Sequence, residues 1–456
     1  MQFFRNIDVK KKQALLGSVF CFLYLASYGF PKDSIHKDTS SKWSFHFQVT
    51  AIDQYHGTFH APYSGKNSLL DTTEQDMSVT STIYLGRSLW KYAAIYANPE
   101  ISGGKGFSGT TGIAGFPNGE IYRVGNPVTQ PYVARLFFQQ SFALHGGHDS
   151  LYAEDMNQVQ QLLPSKRITL NVGRFSLADY FDNNPYSHDA RSQFMNWVLM
   201  DNGAWDYPAN TRGYTYGAVL QLIEPTWYID IADAMEPRAA NGSDMDPNVT
   251  KTFGVAIEGG VTYKVKARTG SISLLLFMNQ TRAPYYQDAI TAYENGNNNA
   301  LNIDNDTVYA GNKKYGIGLS FNHPLGKYIG FFIRAGWNDG QTGDWAFTEV
   351  DQTLTPGFNF DGAMWHRKTD NFGIAYIING ISQEHRNFDN IGGYQFIIGD
   401  GSLQHYGNEL ILETYYQAKF FEHMFLAVDY QYVQNPAYNM DRGPVSIGSV
   451  RVHMEF

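Results

Sequence analysis

The final residues of the chain, SVRVHMEF (449–456), alternate between two kinds of side chain. Apolar side chains occupy every second position and end on the C-terminal Phe456, while the positions between them carry Arg451, His453 and Glu455. Successive side chains of a β-strand point to opposite faces, so this pattern predicts a strand with one apolar and one charged face. A final strand that ends on an outward-facing aromatic residue is typical of outer-membrane β-barrels.

The same alternation recurs along the chain. It is clearest in segments 43–50, 132–142, 253–263, 315–322 and 329–338. In the second of these, the pattern places Tyr132, Leu136 and Phe138 on the apolar face, opposite Arg135 and Gln139. About fifteen such segments of roughly 8–13 residues can be counted, close to the length that crosses a bilayer at a tilt. Because bacterial single-chain barrels have even strand numbers, we predict an all-β, transmembrane antiparallel β-barrel of about sixteen strands.

The connections between these segments are predicted to be of two kinds. Tight turns are expected at 224–226 and 323–327. Long polar loops are expected at 98–131, 179–212, 282–313 and 339–370. Short periplasmic turns and longer extracellular loops are typical of outer-membrane barrels.

The first 29 residues have the organisation of a secretory signal peptide. Three lysines (10–12) precede the apolar run ALLGSVFCFLYLA (14–26), and small residues follow at Ser27 and Gly29. A retained membrane anchor is the alternative, but the run is short for a spanning helix. The only cysteine, Cys21, lies here, so the mature protein is expected to have no thiol or disulfide. The predicted organisation is a signal peptide at 1–29, a lead-in at 30–42 and a barrel domain at 43–456.

Composition favours a membrane barrel over a soluble enzyme. Aromatic residues make up 15% of the chain and charged residues only 17%, against about a quarter in average soluble proteins. After residue 30 the chain has no apolar run long enough for a membrane-spanning helix. Only a closed barrel could then satisfy the backbone hydrogen bonds within a bilayer. The net charge of −9 argues against a nucleic-acid partner.

Other classes of protein fit less well. A soluble β-sandwich or β-helix also alternates, but the predicted apolar faces are too numerous for one soluble domain. The predicted inward faces carry charged residues: Arg135, Glu258, Arg334, Asp429 and Arg451. An enzyme is not expected, because the chain contains no G-x-S-x-G motif. A TonB-dependent transporter would need an N-terminal plug domain. No ligand spacing for a tight metal site occurs, and no cofactor is implied.

Three stretches resemble the OprB-type carbohydrate-selective porin family: 100–120, 173–221 and 413–436. The most specific are Asn196-Trp197 and the run NGAWDY (202–207), and similarity extends over about 43–456. One departure is Val428, where family members often have proline. The resemblance implies a sixteen-stranded outer-membrane porin whose loops fold inward and which passes monosaccharides and small oligosaccharides. Some branches of the family resemble porins for other solutes, including manganese, and a non-selective small-solute channel is a further alternative.

A sugar-selective lumen needs flat aromatic faces for the sugar ring, and charged or amide groups for its hydroxyls. The candidate constriction residues are Arg135, Arg174, Trp197, Trp205, Asp206, Arg212, Glu258, Arg334 and Asp429. The aromatic members could instead pack a loop or form the interfacial girdle. The expected partners are small carbohydrates, outer-membrane lipid and lipopolysaccharide, and the barrel-assembly machinery.

Overall fold

The described chain forms a closed antiparallel barrel of sixteen strands, which confirms the predicted fold class. The computed structural model describes residues 42–122, 128–305 and 310–456. The predicted signal peptide (1–29), with Cys21, and the lead-in up to residue 41 lie outside the described residues. Within the part that is described, no helix is long and apolar enough to cross a membrane.

The described residues form eighteen strands, of which β5 and β6 form a separate hairpin. Their bounds are β1 Trp43–His56, β2 Glu74–Ser88, β3 Ala93–Gly104, β4 Gln130–Ala143, β5 Asp149–Tyr152, β6 Gln161–Pro164, β7 Arg167–Phe175, β8 Thr215–Ile223, β9 Trp227–Met235, β10 Phe253–Val265, β11 Arg268–Thr281, β12 Asn312–Pro324, β13 Ile329–Asn338, β14 Gln352–Asp361, β15 Asn371–Gly380, β16 Glu409–Phe421, β17 Met424–Gln434 and β18 Val445–Glu455.

In the described parts of the connections there are three α-helices. They are α1 Trp197–Met200, α2 Tyr286–Glu294 and α3 Gln383–Asn390. Short 3₁₀ turns occur at Phe107–Gly109, Leu177–Asp179, Asn298–Leu301, Ile303–Asn305, Gly362–Trp365 and Pro436–Tyr438.

The barrel closes where the C-terminal strand meets the first strand. β18 pairs with β1 from Gln48↔Glu455 to His56↔Ile447, and Phe47 and Phe456 exchange backbone hydrogen bonds of 3.0 and 2.8 Å. Closure leaves no free sheet edge, which is required of strands in a bilayer. The C-terminal Phe456 therefore completes the last strand pair, as the alternation in 449–456 predicts.

One prediction about side-chain direction is wrong, because β4 contains a β-bulge. The register of β3 against β4 passes from Asn98↔Arg135 to Pro99↔Val133, so Ala134 is an extra residue on β4. A bulge inserts one residue into a strand and reverses the alternation beyond it. Tyr132, predicted to face outward with Leu136, consequently faces inward and bonds the Glu100 carboxylate.

The loop predicted at 339–370 is also wrong, because it contains the whole of β14. This strand pairs with β13 from Ile329↔Phe360 to Trp337↔Gln352 and with β15 on its other side. Proline cannot donate a ladder hydrogen bond and argues against a central strand. Pro356 in the middle of β14 obscured the pattern.

The connections have the predicted asymmetry, with one exception. At one end lie the turns 89–92, 224–226, 266–267, 325–328 and 422–423. The connection 362–370 lies at the same end as these turns. At the other end lie the loops 57–73, 105–129, 176–214, 236–252, 282–311, 339–351, 381–408 and 435–444. The exception is the β4–β7 connection, 144–166, which is on the short-turn side but is long and carries the β5–β6 hairpin.

We expect a lysine on the outward face of β10 to destabilise the protein more near the middle of the membrane than near its surface. Ile257, near the middle of the strand, is an exposed outward residue, and Val265 is an outward residue beside the turn to β11. In lipid, Ile257→Lys should lower the free energy of unfolding by about 2–4 kcal/mol and Val265→Lys by about 0–1 kcal/mol. Urea unfolding in lipid vesicles measures both. Equal losses would contradict the placement of this face against lipid.

Candidate pore constriction

The lumen of the barrel is partly filled by loops that fold into it. The central one, the 176–214 loop, buries Trp197 and Trp205 almost completely. It packs on the 105–129 loop through Phe116 and Trp197, whose ring centroids are 5.6 Å apart. It also packs on the 339–351 loop, because Trp197 stacks on Phe347 at 5.9 Å. The barrel therefore encloses a core made of its own loops.

Carboxylates on β16 hold the loop backbone against the wall. Glu409 accepts hydrogen bonds from the amides of Ala114 (3.0 Å) and Gly115 (2.8 Å). Glu413, also on this strand, accepts from the amides of Met195 (2.5 Å) and Asn196 (3.1 Å). Buried amides must find acceptors, and a carboxylate is a strong one. The inward alternation of β16 thus places two acceptors under two different loops.

Arginine side chains on the barrel wall donate hydrogen bonds to carbonyl groups of the loop. Arg334 of β13 donates to the carbonyls of Leu199 (2.8 Å) and Asp182 (2.9 Å), and its Nε lies 2.7 Å from the Asp182 carboxylate. Arg451 of β18 donates to the carbonyls of Ala190 (2.8 Å) and Gln193 (2.7 Å). Both arginines hold the 176–214 loop from different sides of the barrel.

Asp206 is the main internal clamp of the loop core. Its carboxylate accepts hydrogen bonds from three consecutive amides of the 339–351 loop, those of Trp345 (2.8 Å), Ala346 (2.7 Å) and Phe347 (3.0 Å). Three backbone donors satisfy a buried carboxylate as well as an ion pair does. Asp206 therefore joins the 176–214 loop to the 339–351 loop.

Paired glycines on the wall leave space for the loop. Gly318 of β12 and Gly336 of β13 are register partners. A Cβ on Gly336 would lie 1.9 Å from Asn202 Oδ1, and one on Gly318 would lie 2.8 Å from Asn202 Nδ2. Asn202 Nδ2 donates to the carbonyl of Ala335 at 3.0 Å. A side chain at either position would displace the Asn202 amide, so glycine at both positions lets this part of the loop pack against the wall.

A cavity of about 760 Å³ remains between this loop core and strands β1 to β4. Its charged lining consists of Glu100, Glu120, Arg135, Asp155, Asp179, Asp189, Arg191, Asp201 and Arg212, with His188. Its aromatic lining consists of Tyr84, Tyr122, Tyr132, Phe137, Tyr180, Trp197, Tyr207, Tyr214 and Phe347. The β4–β7 connection also contributes Asp155, Met156 and Asn157.

Arg191 is a charged lining residue that contacts several acceptors. Its Nε lies 2.8 Å from Glu120, and its terminal nitrogens lie 3.4 Å from Glu100 and 3.2 Å from the Tyr84 hydroxyl. Glu100 also accepts from Thr82 Oγ1 at 2.6 Å. The guanidinium is thus held by acceptors from two strands and the 105–129 loop, which keeps it in one position in the cavity.

Arg212 and Arg135 are two further arginines of the lining whose guanidinium groups are held in place. Arg212 lies 4.0 Å from the ring centroid of Tyr132 and 4.5 Å from that of Tyr122, and donates to Ser102 Oγ at 2.8 Å. Arg135 makes two hydrogen bonds with Asp179, at 2.7 and 2.5 Å. Cation–π contact and a bidentate carboxylate pair both fix the plane of a guanidinium.

Burial changes the ionisation of two loop residues on the cavity. Desolvation raises the pKa of the Asp201 carboxyl well above its usual range, and the neighbouring Asp182 acts in the same direction. Desolvation and the charge of Arg334 lower the pKa of the His188 imidazole. Both shifts favour the neutral forms, which leaves the arginines, their carboxylate partners, Asp155 and Asp189 as the charged groups of the lining.

The nine residues that the sequence proposed for the constriction fall into three groups. Arg135, Trp197 and Arg212 line the cavity. A second group is buried and does not line the cavity: Trp205, Asp206, Glu258, Arg334 and Asp429. Of these, Asp206, Glu258 and Arg334 bond to loop residues.

Glu258 of β10 accepts from the Asp182 amide at 2.8 Å and from the Tyr228 hydroxyl at 2.6 Å. Asp429 of β17 is buried beside Gln431, at 3.4 Å. Neither side chain reaches the cavity.

Arg174 has a different orientation from the one expected. On β7 it alternates with the buried Phe175 and shares the outward set with the exposed Val172. Its guanidinium bonds the Tyr216 hydroxyl at 3.1 Å and lies 5.2 Å from that ring. Tyr216 is also exposed. Arg174 therefore belongs to the outer surface at the end of its strand and does not line the cavity.

Sequence reasoning missed Glu100, Tyr132 and Arg191. Glu100 was assigned to a loop, although Asn98, Glu100 and Ser102 alternate as inward residues of β3. Tyr132 was hidden by the bulge at Ala134. Arg191 lies in a loop, where no periodicity reports direction.

Taken together, a closed sixteen-stranded barrel whose lumen is narrowed by its own loops to a charged, aromatic cavity defines a porin. The sequence matches the carbohydrate-selective porin, OprB family over residues 72–456, and the chain belongs to that family. It is therefore a porin for small solutes, and a β-barrel porin of this family implies a bacterial outer membrane. The family consists of transport channels.

Comparison with solved structures agrees with the fold. The high-pH structure of Pseudomonas putida OprB is similar with a TM-score of 0.67 and 13% identity, covering 91% of this chain and 94% of that one. Its low-pH structure is similar with a TM-score of 0.50 and 12% identity, covering 94% and 100%. No curated protein matches the chain.

We expect Asp206→Ala to release the 339–351 loop. Three buried amides would lose their acceptor, so the free energy of unfolding should fall by about 3–5 kcal/mol. Amide hydrogen exchange at 345–347 should accelerate, which mass spectrometry measures. Asp71→Ala, at an exposed carboxylate, is the control and should change neither quantity. Unchanged exchange in Asp206→Ala would contradict the clamp.

Proposed function

We propose that the protein conducts small carbohydrates, monosaccharides and short oligosaccharides, by facilitated diffusion through the cavity between the loop core and strands β1 to β4. The observation that carries this proposal is the interleaving of oppositely charged groups with aromatic rings around one cavity. The resemblance of the fold to P. putida OprB is consistent with it.

The aromatic rings suit the apolar face of a sugar ring. The Arg212 guanidinium lies over the rings of both Tyr122 and Tyr132, so two aromatic rings and a hydrogen-bond donor are presented together. Tyr214 contributes a further ring, 6.2 Å from Tyr132. Rings bind without needing a charge on the solute, and the contact is weak enough to allow exit.

The pairing of charges favours a neutral polar solute over an ion. Selective ion channels use rings of charge of one sign. Here Arg135 is paired with Asp179, and Arg191 with Glu100 and Glu120. Such pairs have little net field but retain unused donors and acceptors, which can exchange with the hydroxyls of a sugar. A hydroxyl-rich solute can replace water at these groups.

One observation favours a second candidate, a channel that passes divalent cations such as manganese. The charged lining contains six carboxylates, Glu100, Glu120, Asp155, Asp179, Asp189 and Asp201, against three guanidiniums. The excess is negative and would attract cations. Because three of the six are paired with arginine and Asp201 is shifted toward its neutral form, we favour the carbohydrate.

The surroundings of the channel are part of the proposal. The outward face of the barrel is rich in exposed apolar residues, including Ile257, Leu276 and Ile317, and would contact outer-membrane lipid and lipopolysaccharide. The C-terminal Phe456 would be recognised by the barrel-assembly machinery. Residues 1–29 would direct export. Transport without catalysis also remains a prediction.

We expect Arg212→Ala to weaken sugar binding in the cavity. Loss of one charged donor and its cation–π contacts should raise the concentration of maltose that half-blocks the ion current by roughly tenfold. Single-channel recording in a planar bilayer, in fixed KCl with increasing glucose or maltose, measures this. Arg238→Ala removes an exposed arginine that is not in the cavity lining and should leave the block unchanged.

Other outcomes separate the candidates. Current that is indifferent to sugar but altered by micromolar Mn²⁺ would replace the carbohydrate by a divalent cation. Absence of any channel, from protein shown to be folded, would overturn the proposed conduction through this cavity. An equal loss of sugar block in Arg212→Ala and Arg238→Ala would place the sugar elsewhere.

A further inference from the structure

A cluster of metal-ligating side chains lies outside the cavity, between two long loops. Asp344 and Asp351 belong to the 339–351 loop, and His385 lies in the first turn of α3 within the 381–408 loop. All three are fully buried. One ligand atom from each lies within 4.8 Å of the others. None of them lines the cavity proposed for the solute.

The hydrogen bonds within this cluster use only part of its acceptor capacity. Asp351 Oδ2 accepts from the Ser382 amide at 2.7 Å and lies 3.3 Å from His385 Nδ1. Asp344 Oδ1 binds the Lys314 ammonium. Among the described residues, Asp344 Oδ2 and Asp351 Oδ1 are buried and have no hydrogen-bond partner. Buried carboxylate oxygens normally have one.

Asp389 is a second observation that points to the same place. It follows His385 by one turn of α3, and its Oδ2 lies 3.7 Å from His385 Nε2. Its side chain is 7% exposed, and its Oδ1 has no hydrogen-bond partner among the described residues. A third nearly buried carboxylate therefore approaches the imidazole at Nε2, which also lies 2.8 Å from Gln395 Nε2, while Nδ1 faces Asp351.

The charges within the protein do not balance this cluster. Among the described residues, the ion pairs of Asp344, Asp351 and Asp389 are with the His385 imidazole and with Lys314, which is also 3.7 Å from Asp206. Uncompensated buried charge is costly, so it is normally paired or bound to a metal ion. A divalent cation would compensate the remaining charge and fill the unused carboxylate positions.

We propose that Asp344, Asp351 and His385 form a structural site for a divalent first-row transition-metal ion, with Asp389 orienting His385. Two carboxylates and one imidazole suit Zn²⁺ or Mn²⁺, with water completing the coordination. The ion would join the 339–351 loop to α3 and so fix the 381–408 loop. This inference does not depend on which solute the channel conducts.

Folded protein, stripped with EDTA and dialysed against Zn²⁺ or Mn²⁺, tests the site. We expect one equivalent of metal to be retained, by plasma mass spectrometry, together with an increase in Tm. His385→Gln and Asp351→Asn should lower the affinity at least about tenfold. His405→Gln is the matched control: His405 contacts Asp441 at 2.9 Å but is two-thirds exposed, and its loss should leave binding unchanged.

Co²⁺ added to the stripped wild-type protein keeps the test decisive if the variants do not fold. Its visible absorption bands should show nitrogen and oxygen coordination and should disappear on addition of Zn²⁺. Wild-type protein that retains no metal, or variants that bind as tightly as wild type, would overturn the site. Sugar block of the channel would be unaffected by either result, so the two proposals fail separately.

Discussion

The structure depends on one constraint: a loop placed inside a barrel must find partners for its backbone amides and carbonyls without bulk water. The wall supplies them from its inward positions. Glu409 and Glu413 accept amides, and Arg334 and Arg451 donate to carbonyls. Each of these residues is a charged side chain that an ordinary lumen would expose to water. Here the charges of the wall position the loops, and the loops define the channel.

The cavity is the part of the lumen that the loop core does not fill. The loop core is anchored on β13, β16 and β18, and the open space lies beside the strands β1 to β4. There the bulge at Ala134 turns Tyr132 inward toward Glu100, beneath Arg212. A single extra residue in a strand thus adds an aromatic ring to the lining. The arginines in the cavity pair with carboxylates. The hydrogen-bonding positions that these pairs leave unused can bind a polar solute.

Sequence alternation was sufficient for the fold, because lipid and lumen impose opposite chemistry on successive residues of every strand. It failed where the backbone departs from regular pairing, at the bulge of β4, and where Pro356 interrupts β14. Within the site, alternation shows that residues such as Arg135 and Arg334 face inward, but it does not show which of them line the cavity. Only the loop positions decide that Arg135 lines the cavity while Arg334 lies beneath a loop. Arg191 could not be found in this way, because its direction is set by contacts distant in sequence.

The insertion of the 176–214 loop into the lumen is the central claim, and a disulfide between loop and wall tests it most directly. A Cβ built on Gly336 of β13 would lie 3.0 Å from the Cβ of Ala204 in the loop and 1.9 Å from Asn202 Oδ1. Asn202→Ala removes the amide that blocks this position, and a small shift then gives the Cβ–Cβ spacing of about 3.5–4.5 Å that a disulfide requires. The chain has one cysteine, Cys21, in the segment predicted to be removed. In the folded triple variant Asn202→Ala/Ala204→Cys/Gly336→Cys, we predict that mass spectrometry finds the two cysteines joined. Two free thiols in a folded, closed barrel would contradict the account.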